Sequence, residues 1–136
     1  MKFIILTYAS QQDYDAMTGD PTSGPAWAPE DFAAMGRFME QFTAELHRSG
    51  ELVEARGLAA PAQTRRVRLQ AGVPVVTEGP YAEAEEVLAG YWVVECASLT
   101  RATEIAAQLS RCPAPEAVRN RAIADVRPLD EYPQEP

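Results

Sequence analysis

The first apolar segment, Phe3-Ile4-Ile5-Leu6 within Lys2 to Tyr8, is nearly continuous. Side chains of a strand point alternately to its two sides, so an unbroken apolar run predicts a strand covered on both faces. From Ala9 to Ala28 the pattern lapses into Gln, Asp, Gly, Pro, Ser and Thr, with Tyr14 and Trp27 as isolated aromatics, and this predicts a loop. A loop of that length in a small domain is functional or mobile. Apolar residues then return at spacings of three and four. Phe32, Met35, Phe38, Met39, Phe42 and Leu46 form one stripe of a helix. Pro29 suits its first turn, Glu30 and Asp31 complement its positive start, and Gly50 suits its exit.

Glu51 to Leu58 forms a second strand, bent near Gly57. Thr64 to Leu69 and Val73 to Thr77 make a hairpin around Gln70-Ala71-Gly72. Val67 and Leu69 alternate with Arg66 and Arg68, so one hairpin face is wet. Gly90 to Cys96 is an aromatic strand, and Ser98 or Thr100 caps a second helix with the apolar face Leu99, Ala102, Ile105, Ala106 and Leu109. Pro113 and Pro115 end that helix, Glu116 to Arg121 makes one helical turn, and Ala122 to Arg127 is a last strand.

The order is β-α-β-β-α-β with an extra hairpin, the split β-α-β of ferredoxin-like α+β domains with an antiparallel sheet. Helices cover one face of such a sheet, and self-association into a homodimer is the simplest cover for the other. A length of 136 residues fits one domain, residues 1–130, followed by a loose acidic tail, 131–136.

Charge and composition narrow the function. A net charge of −8 opposes nucleic-acid partners, because neutralising phosphates needs clustered cations. Arg65, Arg66 and Arg68 do cluster, but on a hairpin where a solvated role is expected. No apolar run approaches the ~20 residues of a membrane span, and the amino end turns polar too soon for a signal peptide, so a cytoplasmic protein without a membrane partner is expected. Two cysteines, Cys96 and Cys112, lack metal or disulfide spacing, and His47 is the single histidine. Free thiols and no metal follow. No phosphate loop or dinucleotide fingerprint occurs, so no cofactor is expected.

Between an apolar strand and the aromatic strand lies Glu78-Gly79-Pro80-Tyr81-Ala82-Glu83. Gly79 adopts backbone angles closed to other residues and Pro80 fixes its own φ, so the chain reverses there. Glu78, Tyr81 and Glu83 are then presented at a strand end. This motif resembles the DGPF motif of the YCII-related (YciI-like) proteins, usually Asp-Gly-Pro-Phe followed by Ala-Glu. The resemblance extends from Met1-Lys2-Phe3-Ile4-Ile5-Leu6 through Gly57-Leu58 to Arg111-Cys112-Pro113 and Val126-Arg127-Pro128. It implies a dimeric α+β barrel, in which two copies bury the open sheet face between them. It also implies a suspected catalytic His-Asp pair near the first helix, but no histidine occurs between the first strand and that helix.

The chemistry left is that of isolated carboxylates and rings. Glu78, Tyr81, Glu83 and Asp13 are the candidates for acid-base work, since a carboxylate beside apolar rings has its pKa raised toward neutrality. Glu85 and Glu86 fit a solvated turn. Tyr14 and Trp27 on the long loop, Phe38, Arg56 and Tyr91 are the candidate substrate contacts. Arg56 is an anion hook or the ion-pair partner of Glu54. Tyr91 and Trp92 point to opposite faces, so only one lines a given cavity. The expected function is cofactor-independent proton-transfer chemistry (isomerisation, elimination or cyclisation) on a small, cyclic or aromatic organic substrate. The alternative is a non-catalytic ligand-binding or regulatory module, because family members often occur beside sigma factors.

Overall fold

Phe3 and Ile5 on β1 (Lys2–Ala9) have no solvent exposure, while Ile4 and Leu6 between them are half-buried. This alternation marks the two faces of the strand. The computed structural model describes residues 1–19 and 27–131. The sheet runs in the order β2-β5-β1-β6, with β2 Leu52–Gly57, β5 Val87–Glu95 and β6 Ala124–Pro128. Every neighbouring pair is antiparallel. Phe3 lies opposite Val94, and Ile5 opposite Trp92 and Val126. These residues form the floor on which α2 (Pro29–Arg48) and α3 (Leu99–Leu109) pack.

From α2, Phe42 and Leu46 reach the floor, and the Phe42 ring meets Trp92 edge-on with centroids 6.2 Å apart. From α3, Ala102, Ile105, Ala106 and Leu109 do the same. Each fully buried Phe, Ile or Val here contributes roughly 1.5–3 kcal/mol of hydrophobic stabilisation. Leu99, expected on the apolar face of α3, is about half exposed at the helix start. The Ser98 hydroxyl caps α3 by accepting from the Arg101 N–H. The Arg101 guanidinium then grips Glu51 with two bonds of 2.9 and 2.8 Å, tying the first turn of α3 to the entrance of β2.

The fold is ferredoxin-like α+β, as the element order predicts. Besides the exposure of Leu99, three details differ from the expectations. First, the stretch after β1 holds a helix, α1 (Gln11–Met17), where a loop was expected. Seven residues are too few to show apolar periodicity, and Ala16 is its only buried residue. The helix is carried by its start: the Ser10 hydroxyl accepts from the Asp13 N–H, and the Asp13 carboxylate accepts from the Ser10 N–H. That reciprocal box satisfies two otherwise unpaired donors. Residues 20–26 of the same stretch lie outside the described residues. Second, β5 begins at Val87, three residues before Gly90. Third, β3 (Arg65–Gln70) and β4 (Val73–Glu78) form a separate two-stranded sheet. Val67 and Leu69 on one face of β3 are exposed just as Arg66 and Arg68 on the other are.

Candidate functional site

The Gly79-Pro80 turn sits where β4 hands the chain to β5. Gly79 has φ +48°, and its N–H donates to the Thr64 carbonyl at 2.8 Å, closing the base of the hairpin. The turn delivers Tyr81, half-buried, to a cavity of about 400 Å³. Leu58, Ala59, Ala60, Pro61, Val87 and Leu88 supply its apolar lining, and Gln63, Thr64 and Tyr81 bring the polar groups. The Arg66 guanidinium stands over the Tyr81 ring, 5.2 Å from its centroid.

Helix α1 holds this cavity's walls without lining it. Tyr14 donates its phenol to the Leu58 carbonyl at 2.9 Å, and the Gln11 side-chain oxygen accepts from the Ala62 N–H at 2.8 Å. The Gln12 N–H donates to the Glu83 carbonyl at 3.0 Å. One short helix thus pins both the Leu58–Ala62 wall and the turn after Tyr81. Burial pushes the Tyr14 phenol above its ordinary pKa, which keeps it a neutral donor.

On the other flank of α1 a second cleft, about 120 Å³, is bordered by Tyr8, Asp13, Met17, Trp27, Glu86 and Arg121. Arg121 reaches Asp13 at 3.0 Å and Glu86 at 3.5 Å. Burial opposes the charge of Asp13, but the Ser10 N–H and the Arg121 guanidinium outweigh it and hold the carboxyl below the usual range. With one oxygen on Ser10 and the other on Arg121, Asp13 is an ionised, structurally occupied group. Tyr8 donates to Asp125 at 2.7 Å, and Trp27 stacks on Phe32 at 5.1 Å.

The other candidates are dispersed. Glu78 pairs with Arg65 at 3.5 Å, with both side chains largely in water, and such a surface pair is worth about 0–1 kcal/mol. The Glu83 side chain is exposed. Tyr91 lies on the sheet face away from the helices and donates to Glu54 at 3.1 Å, while Arg56 pairs with the same carboxylate at 3.5 Å. Phe38 lies in the helix layer, stacked on Phe42 at 6.0 Å, on the opposite side of the sheet from Tyr91. Tyr81 therefore meets the cavity, Asp13 and Trp27 share the second cleft, and Tyr91 and Arg56 share the open face. His47 is exposed at the end of α2. Among the described residues no three His, Cys, Asp or Glu side chains gather as metal ligands. No helix among them is long and apolar enough to cross a membrane.

Arg121 carries no site signal in the sequence, and Glu86, expected on a solvated turn, borders the cleft beside it. Arg121 is 108 positions from Asp13, and nothing local announces the pairing. The α1 start, by contrast, carried a local signal in Ser10-x-x-Asp13.

A protein similar to this chain is an uncharacterized protein of Rhizobium meliloti (strain 1021), 29% identical over 113 residues, which cover 83% of this chain and 87% of that protein. Residues 1–127 match the YCII-related domain, and the chain belongs to that family.

Proposed function

We propose that this chain binds a small, largely apolar organic molecule in the Tyr81 cavity and promotes proton transfer on it without a cofactor. The observation that carries this reading is the cavity itself: an apolar hollow of about 400 Å³ with a few polar groups, Tyr81, Gln63 and Thr64, at its wall. That combination is what orients a small organic ligand. The Tyr81 phenol donates to a substrate oxygen, and Glu83 or Glu78, which flank the turn outside the cavity lining, is the base that reaches the substrate's proton from the rim. Asp13 and Tyr14 act through α1, keeping the wall in place, and Trp27 shields the second cleft on the other flank of that helix. Isomerisation, elimination and cyclisation all fit this chemistry.

The protein works as a homodimer in this reading. Ile4, Leu6, Tyr91 and Val93 on the helix-free sheet face are only half-buried within one chain, and a second copy covers them.

A second reading, ligand binding without turnover, is favoured by a specific feature: no carboxylate lines the Tyr81 cavity among the described residues, and Glu78 is engaged by Arg65. A regulatory partner such as a sigma factor belongs to that reading. A panel of cyclic and aromatic ketones, lactones and phenols, screened by thermal shift and then incubated with the protein and followed by NMR, separates the two. Turnover that falls at least tenfold in Glu83→Gln or Glu78→Gln supports catalysis. Saturable binding lost in Tyr81→Ala, with every bound compound recovered unchanged, supports the binding module. Binding that survives Tyr81→Ala removes the cavity from both.

A further inference from the structure

The β3–β4 hairpin stands apart from the main sheet as its own two-stranded ribbon, about 20 Å long for six residues per strand. A lone two-stranded ribbon is marginal in water and is normally packed on something. This one is well formed, with six paired positions and a two-residue turn at Ala71 (φ 50°) and Gly72 (φ 79°) that matches the twist of the strands. Yet Val67, Leu69, Val73 and Val76 each expose more than half of their surface. Val67 lies opposite Val76 and Leu69 opposite Pro74, so Val67, Val76, Leu69 and Pro74 make one continuous patch on one face, while Val73, opposite Gln70, lies on the other.

Charge says what covers it. Arg65, Arg66 and Arg68 against Glu78 give the hairpin a net charge of +2, so the rest of the chain carries −10 to reach the total of −8. A basic, apolar-faced ribbon on a strongly acidic body is complementary to another copy of that body, whereas a polyanion would be repelled by it. The base of the ribbon is attached by Gly79 on Thr64 and by Arg66 over Tyr81, and the strands project beyond it.

We infer that the β3–β4 hairpin is an arm that seats on the body of a second copy of this chain, Val67, Leu69 and Val76 against apolar surface, while the ribbon's net positive charge, with Arg65 on the seated face and Arg66 and Arg68 on the reverse one, draws it to the acidic body. This rests on the homodimer proposed above but not on its chemistry. Sedimentation velocity of the full chain over a concentration series tests it, in low salt and at about 0.5 M salt, where exposed charges are largely screened. The variants are Val67→Ser/Leu69→Ser, Arg68→Glu, and Leu6→Glu on the open sheet face, with circular dichroism confirming that each is folded. The expected result is a wild-type dimer whose dissociation constant rises at least tenfold in both hairpin variants and also rises with salt. A dimer unchanged in both hairpin variants but lost in Leu6→Glu overturns the arm while leaving the covered sheet face standing. A wild-type chain that is monomeric at every concentration overturns both.

Discussion

The Tyr14 phenol donates to the Leu58 carbonyl at 2.9 Å across 44 positions of sequence, fastening a seven-residue helix to the wall of the Tyr81 cavity. Tyr14→Phe keeps the ring and removes the bond. It costs about 0.5–1.5 kcal/mol of global stability, the usual net worth of one such bond. Amide hydrogen exchange over residues 58–62 rises more than elsewhere. Exchange that rises uniformly across the sheet counts against the local anchoring role.

Asp13 makes the stability of this region depend on pH in a definite direction. Its folded pKa is lowered, so the stabilisation is fully present above the unfolded value, about 3.9, and is lost as pH falls through the folded one. Asp13→Asn is therefore less stable than wild type at pH 7, and the gap narrows below about pH 4. Urea titrations of the two proteins at pH 7, 5 and 3.5 check this. A gap that stays constant over that range means the carboxylate charge contributes nothing.

Gly79→Ala places a side chain in the left-handed region at φ +48°, with its Cβ 3.4 Å from the Ala62 carbonyl oxygen. The backbone conformation alone costs about 1–2 kcal/mol. The ligand binding proposed for the Tyr81 cavity weakens as well if the turn shifts, because Tyr81 is only two residues on. Denaturant midpoints measure the first effect. A midpoint equal to wild type would show that the turn relaxes without strain.

Phe42→Ala removes the ring that meets Trp92 edge-on and leaves a hole in the layer between α2 and the sheet. The expected loss is about 3–5 kcal/mol. Trp92 emission shifts to the red as water reaches the indole, and Phe42→Leu recovers most of both effects. An unshifted spectrum in a folded Phe42→Ala protein would place Trp92 elsewhere.

The elements were legible because each is encoded within a few residues. The α2 stripe from Phe32 to Leu46, the Ser98 cap, the Val67 and Leu69 alternation and the Gly79-Pro80 stop all express local backbone geometry. Even α1 was encoded locally, in Ser10 and Asp13, though too briefly for a periodicity to reveal it. Tertiary structure alone decided the partners. It turned Trp92 toward Phe42 in the core and left Tyr91 beside Glu54 on the open face, a choice that depends on which side of the sheet the helices occupy. It also brought Arg121 to Asp13 from 108 positions away, and set Glu78 on the hairpin beside Arg65 while Tyr81 reached the cavity. Alternation along a strand says that two neighbours face apart but not which way each faces. A charged side chain carries no mark of its distant partner until packing closes the space between them.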